Sequence, residues 1–364
     1  MSGTAAMRDC TETMPTATPS DTEASLLAGL RRVIARELPG ADAQAGITGL
    51  RRLSGGASQE TWSFTLAGPH GPAPMILRRD PGAEERPAAG VSAMQAGMAA
   101  EAALLRLAGA AGVPVPVVRA MLMPQDGIGE GFVMDCIEGE TLGGRIVREP
   151  RLARARERLA YQCGQALAAI HGIDRATLPP LRESNAAEEV EGYLRRYRAA
   201  REQRPVFELA FRWLRRHAPA TGRATLVHGD FRNGNLMVDE AGLRAVLDWE
   251  LAHVGDPMTD LGWLCVNSWR FGRTGLPVGG FGTRAQLFAG YADAGGMVDA
   301  ERVRFWEIFG VLKWGVACQT MSRAPQGGGA RSVERAAIGR RSSETEIDLL
   351  NLLLPRAAAS ACAS

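Results

Sequence analysis

The apolar positions of this chain change their period along its length, and each change predicts an element. Thr61-Trp62-Ser63-Phe64-Thr65-Leu66 alternates strictly, the period-two mark of a half-buried strand. An apolar segment starting at Ile47 precedes it, and Leu53-Ser54-Gly55-Gly56-Ala57-Ser58 lies between, so the three read as strand, turn, strand. Met75-Ile76-Leu77-Arg78-Arg79 supplies a third strand. From Glu101 to Leu107 the pattern becomes helical and stops before Gly112 and Pro114, with Leu104, Leu105 and Leu107 as its apolar face. Gly131 to Gly139 returns to a buried strand ending in an acidic, glycine-containing turn. Leu226-Val227 and Ala245-Val246-Leu247 are short apolar runs, and Met237 to Val246 reads as two short strands joined at Gly242. Leu261 to Trp269 and Phe305 to Trp314 carry apolar and aromatic residues at helical spacing.

Chemistry-bearing residues stand at the ends of those short strands. His228-Gly229-Asp230-Phe231-Arg232-Asn233-Gly234-Asn235 follows one apolar run, and Asp248 closes another. Asp-x-x-x-x-Asn, then an Asp ending the next strand, repeats the order in kinases of catalytic-loop Asp, catalytic-loop Asn and metal-binding Asp. Magnesium prefers oxygen ligands and keeps several waters, so Asn235 and Asp248 completed by ATP phosphates suffice for it. Asp230 would orient an acceptor hydroxyl and take its proton late, because a carboxylate of pKa about 4 is a poor ground-state base toward an alcohol. Each residue also has a plainer reading: Asp230 as a turn cap, Asp248 as a buried structural carboxylate, Gly55-Gly56 as an ordinary hairpin turn.

The segments Leu226-Val227-His228-Gly229-Asp230 through Asn235, Leu247-Asp248-Trp249-Glu250, Gly255-Asp256-Pro257 and Asp260-Leu261 resemble the signature of the aminoglycoside phosphotransferase and choline kinase-like enzymes. The resemblance covers roughly residues 25 to 354. It is closest to the phosphotransferase domain associated with acyl-CoA dehydrogenases, whose late segment Gly339-Arg340-Arg341-Ser342-Ser343-Glu344-Thr345-Glu346 is similar. The resemblance implies an α+β, two-lobed protein-kinase-like fold, with an N-terminal antiparallel sheet lobe carrying one main helix and a mostly helical C-terminal lobe. It divides the chain into a disordered tail (1–24), a nucleotide-binding lobe (25–137), a catalytic and acceptor-binding lobe (138–354) and a second tail (355–364). Gly55, Gly56 and Ser58 would cover the phosphates, since glycine permits close backbone approach. Arg78 would stand where most such enzymes have lysine, with Glu101 as its partner; the alternative for Glu101 is a solvated helix carboxylate. Asp135, Cys136 and Ile137 would form the hinge that meets the purine through main-chain groups, which leaves GTP open beside ATP. His228 would brace the loop, and Asp260 would tie its backbone from below or else serve the helix dipole.

Composition fits a cytoplasmic enzyme. With 364 residues and 46% hydrophobic content the chain can build two lobes and a cleft. The most apolar stretch, Val91 to Val113, is interrupted by Glu101 and Arg106, so no membrane association is expected. Residues Met1 to Thr22 lack both a signal peptide's apolar core and a transit peptide's arginines. The six cysteines have no metal-ligand spacing and read as reduced thiols; of the five histidines, only His228 lies in a motif. A net charge of +2 speaks against a general nucleic-acid binder.

Substrate is read from charge. Tyr193 to His217 contains Arg195, Arg196, Arg198, Arg201, Arg204, Arg212, Arg215 and Arg216, a surface suited to an anionic molecule rather than a polycationic aminoglycoside, or simply a solvated basic face. The function expected is ATP- and magnesium-dependent phosphorylation of a hydroxyl on a small metabolite, with a hydroxyacyl-CoA as one possibility. An antibiotic O-phosphotransferase is the alternative enzyme. A nucleotide-binding pseudokinase, supported by the missing lysine, is the alternative of another class.

Overall fold

The computed structural model describes residues 21–38, 46–53, 59–68, 71–82, 95–200, 202–323, 339 and 341–354. Its sheet is five-stranded and antiparallel, in the order β1 (Ile47–Leu53), β2 (Glu60–Gly68), β3 (Gly71–Asp80), β5 (Glu130–Asp135), β4 (Val118–Met121). Side-chain alternation gives the sheet two apolar faces. Trp62, Phe64, Leu66, Met75, Leu77 and Val133 face one core, while Ile76, Phe132 and Met134 face another. The first face is covered by α1 (Asp21–Glu37), whose Leu26, Leu30, Val33 and Ile34 are almost fully buried at helical spacing. The second is covered by α2 (Met98–Ala110), through Met98, Ala102, Leu105 and Ala108.

The fold class is the one expected, with three refinements. A second helix, α1, joins the sheet beside the one main helix, and it begins at Asp21, inside the stretch read as a tail. The helix carrying Glu101 starts three residues earlier, at Met98, and its Leu107 is only half-buried. The helix read from Leu261 to Trp269 divides into α7 (Met258–Leu264) and a separate 3-10 turn, Asn267–Trp269. Asp256 Oδ1 accepts from the Met258 amide at 3.0 Å and Pro257 already has helical angles, so Asp256 caps the start of α7.

Below the sheet the chain is mainly helical: α3 (Gly143–Ile146), α4 (Ala153–His171), α5 (Ala186–Ala199), α6 (Pro205–His217), α7, α8 (Arg284–Asp293), α9 (Ala300–Arg323) and α10 (Ser342–Leu353). Two small ribbons lie among them, β6 (Thr225–Val227) with β9 (His253–Gly255), and β7 (Leu236–Asp239) with β8 (Gly242–Val246). The large core runs without interruption from the sheet's second face through α2 into these helices. Helices α4 and α8 touch backbone to backbone at Gly164 and Gly290. A Cβ on Gly164 would stand 2.2 Å from the Leu287 carbonyl oxygen, and one on Gly290 2.0 Å from that of Tyr161. No described helix is long and apolar enough to cross a membrane.

Candidate active site

Residues 228 to 235 form a loop between β6 and β7, held from beneath. Asp260, on α7 and fully buried, accepts the His228 amide at 2.8 Å and the Gly229 amide at 2.9 Å. Its Oδ2 also lies 3.1 Å from His171 Nε2, and His171 Nδ1 lies 2.9 Å from the Tyr291 hydroxyl. A buried relay thus runs from α8 through the end of α4 to the loop. Burial works against the Asp260 carboxylate, but the hydrogen bond from His171 and that from the His228 amide help to outweigh it and lower its pKa. The support expected of Asp260 is therefore present as a contact.

His228 spans the loop internally. Its Nδ1 accepts the Asp230 amide and its Nε2 lies on the Leu247 carbonyl, each at 3.2 Å, which fixes the tautomer with the proton on Nε2. Burial lowers its pKa, so the ring is neutral, packed between Phe231 and Trp249. Asp230 Oδ1 accepts from Trp263 Nε1 at 2.8 Å, and Asp230 Oδ2 from Asn235 Nδ2 at 2.7 Å. Arg232 Nε completes the set at 3.1 and 3.2 Å. Because its amide nitrogen is turned toward Asp230, Asn235 leaves Oδ1 buried and without a protein partner.

The ribbon of β7 and β8 returns the chain as its pattern required. The Leu247 amide donates to the Asn235 carbonyl at 2.9 Å, which sets Asp248 beside Asn235. Asp248 sits at φ 67°, in the left-handed region that a non-glycine residue occupies at a cost of about 1–2 kcal/mol. Across the cleft, Arg78 Nη2 donates to Asp248 Oδ1 at 2.8 Å, and Arg78 Nε lies 3.1 Å from Glu101 Oε1. Gln59 Oε1 accepts from the same guanidinium at 3.0 and 2.7 Å.

One guanidinium therefore serves two carboxylates unequally, Glu101 buried and Asp248 half-buried. Burial opposes ionisation of Asp248, but the charge and hydrogen bond of Arg78 hold its pKa low. At Glu101 burial prevails over Arg78 and pushes the carboxyl up to about 7, and Glu101 Oε2 is left without a partner. Glu250, half-buried and bonded to Gln95 Nε2 at 3.0 Å, is pushed up to about 8 by burial first and then by the charge of Asp248. This corner holds more carboxylate than cation.

Other expected positions fare differently. Gly55, Gly56 and Ser58 lie outside the described residues, as do Arg201 and Arg340. Asp135 ends β5 and Cys136 and Ile137 follow it, yet the amides of Asp135 and Cys136 donate to the Val117 and Pro74 carbonyls. The Asp135 carboxylate is engaged by Arg119 at 2.7 Å. Three arginines of the stretch from Tyr193 to His217 are engaged within the protein: Arg215 by Glu191, Arg204 by Glu202 and by Glu346 of α10, and Arg196 over the Tyr193 ring, while Arg195, Arg198, Arg212 and Arg216 are exposed. The cations beside Asp230 are instead Arg232 and Lys313, whose Nζ donates to the Gly229 carbonyl at 3.2 Å. Sequence reading passed over both as site residues, along with Glu250 and Trp263. Their one local signal was spacing, Arg232 two residues after Asp230 and Glu250 two after Asp248. Among the described residues there is no cluster of three His, Cys, Asp or Glu side chains able to hold a metal.

Comparison with known proteins is consistent with this geometry. Over 228 residues the chain is 31% identical to acyl-CoA dehydrogenase family member 10 of Mus musculus, matching 60% of itself and 20% of that protein. Over 247 residues it is 30% identical to acyl-CoA dehydrogenase family member 11 of Gallus gallus, 64% of itself and 30% of the relative. The chain thus spans less than a third of either relative. In fold it is similar to a protein of Ralstonia eutropha JMP134 whose structure was described as a candidate aminoglycoside phosphotransferase, with TM-score 0.65, 22% identity, and 90% and 97% of the two chains covered. The model of one family matches residues 49 to 306, from within β1 to within α9, and on that match the chain belongs to the phosphotransferase enzyme family.

Proposed function

We propose that this protein is an ATP- and magnesium-dependent phosphotransferase acting on a hydroxyl group of a small, anionic metabolite. The observation that carries the proposal is the convergence of three donors in one corner: the Asp230 carboxylate, the partnerless Asn235 Oδ1 and Asp248 in its left-handed conformation. The donor set fits magnesium. It offers a carboxylate and an amide oxygen, both preferred by a hard cation that retains waters and phosphate oxygens. Asn235 and Asp248 would hold that ion, which would neutralise charge on the transferring phosphoryl group.

The chain's own residues account for the rest. Asp230, kept in place by Trp263, Asn235 and Arg232, orients the acceptor hydroxyl for in-line attack on the γ-phosphorus. The new P–O bond forms as the bond to ADP breaks, and the hydroxyl proton passes to the Asp230 carboxylate. Arg78, anchored by Glu101, reaches the nucleotide phosphates, where its guanidinium can donate two parallel hydrogen bonds. At the hinge, the amides of Asp135 and Cys136 are already engaged, which leaves the Ile137 amide as the donor for main-chain purine contact.

Arg232 and Lys313 beside Asp230 disfavour a polycationic acceptor. The names of the dehydrogenase relatives make hydroxyacyl-CoAs, and the free hydroxy acids that correspond to them, the first acceptors to test. ADP release should be measured with magnesium and panels of hydroxyacyl-CoAs and aminoglycosides. Preferential turnover of an aminoglycoside would defeat the anionic-acceptor reading. A melting temperature indifferent to ATP with magnesium would defeat the kinase reading itself, because a ligand that binds only the native state must stabilise it.

A further inference from the structure

The chain contains one lysine among 42 lysine and arginine residues, and that lysine is Lys313. It lies on α9, with Nζ 3.2 Å from the Gly229 carbonyl oxygen and 4.4 Å from the centre of the Trp263 ring. The other edge of that indole donates Nε1 to Asp230 Oδ1 at 2.8 Å, so a single ring separates the lone ammonium from the Asp230 carboxylate. Where arginine is the rule, an ammonium differs physically: it is a compact point charge with three rotatable donors, against a wide planar fork. The Gly229 carbonyl takes one of these donors.

The surroundings repeat this theme. Trp263, Trp269 and Trp314 follow one another edge to face, with centroids 5.1 and 4.9 Å apart. Each carries a cation: Lys313 over Trp263, Arg232 over Trp269 at 4.7 Å, and Arg341 over Trp314 at 5.9 Å. Trp269 and Trp314 are 3% and 7% exposed, and neither indole N–H has a protein partner. A buried donor left unmade is costly, and indoles and cations offer donors only. The complement is a ligand rich in acceptors.

We propose that Lys313 determines acceptor specificity by binding an oxyanion, carboxylate or phosphate, that the acceptor carries near the hydroxyl presented to Asp230, with the tryptophans walling its apolar body. The inference rests on the phosphotransferase reading, and its test separates the two. Lys313 is the only side-chain amine, so acetylation of the full chain by N-hydroxysuccinimidyl acetate, followed by peptide mass spectrometry, reports on it alone. The protein is treated in ADP and magnesium with short hydroxy acids, with the methyl ester of each, and with phosphorylated polyols. At least one anion should slow Lys313 acetylation by about tenfold or more, the size of a charge-assisted contact, while its neutral ester does not. Protection by hydroxy acids alone or by phosphorylated polyols alone identifies which oxyanion is bound. Equal protection by acids and esters, or none by any anion, overturns the proposal. Failure of ATP and magnesium to raise the melting temperature of the same preparation would instead remove the reading beneath it. In Lys313→Met the KM for the protecting anion should rise by about tenfold or more, and in Lys313→Arg by less. Loss of melting temperature without a change in that KM would mark Lys313 as a purely structural brace and sink the assignment.

Discussion

At the level of single residues, the loop from His228 to Asn235 is held by groups that need not touch substrate, and this separates two kinds of damage. Asp230→Asn keeps the volume and much of the hydrogen bonding but loses the carboxylate proposed to take the hydroxyl proton. Turnover should fall by about 10²–10⁴-fold with ATP affinity kept, which kcat and nucleotide KM measured together would check. Asp260→Asn acts differently. A carboxylate that accepts two backbone amides becomes an amide that must present an N–H to donors, costing about 2–3 kcal/mol. A lower melting temperature and a lower kcat should appear together; an unchanged melting temperature would show that the relay from Tyr291 and His171 is not supporting the loop.

Among the elements, the contact of α4 with α8 decides whether that relay can exist, since His171 ends α4 and Tyr291 lies on α8. Gly164→Ala would drive a methyl group against the Leu287 carbonyl and the Tyr291 amide, separating the helices at a cost of about 3 kcal/mol. Equilibrium unfolding in urea would measure it, and a loss below about 0.5 kcal/mol would mean the interface yields. Elements with a sharp period were legible in the sequence. Trp62, Phe64 and Leu66 alternate, and the β7–β8 ribbon followed from apolar runs around Gly242, so Asp230, Asn235 and Asp248 could be brought together before any coordinates. Helix α1 was equally periodic at Leu26, Leu30, Val33 and Ile34, but it abuts a polar tail whose composition dominated the reading. What the sequence withheld is tertiary. Lys313 meets the Gly229 carbonyl across 84 positions of sequence, and Arg215 of α6 is turned to Glu191 of α5, neither of which local spacing encodes.

For the whole molecule, the cleft's surplus of carboxylate predicts a pH dependence. Glu101 and Glu250 have pKa values of about 7 and about 8, above the ordinary carboxylate value, so between those limits the folded state holds protons that the unfolded chain has released. Stability must then fall as pH rises. His228 and His253, whose pKa values burial lowers, work in the opposite sense, but only below about pH 6.5, where the unfolded histidines gain their protons. From about pH 6.5 the carboxyl contribution leads, joined toward pH 8 in the same sense by the Cys163, Cys265 and Cys318 thiols, which burial also pushes up. The melting temperature of the nucleotide-free protein should decline across that window, and Glu250→Gln should flatten the decline; a slope identical in both proteins would reject Glu250 as its source.

The grip of Arg78 on Asp248 also bears on the order in which ligands arrive. If Asp248 holds magnesium as proposed, an ion coming alone must evict a guanidinium from that carboxylate, whereas a metal–nucleotide complex supplies phosphate oxygens to which the guanidinium can transfer. Metal and nucleotide should therefore bind with positive cooperativity, each scarcely retained without the other. Calorimetric titration would reveal it as magnesium binding that is weak to the free protein and strong to the ADP complex. A cell's supply of complexed rather than free nucleotide would then set the rate at which the enzyme is charged.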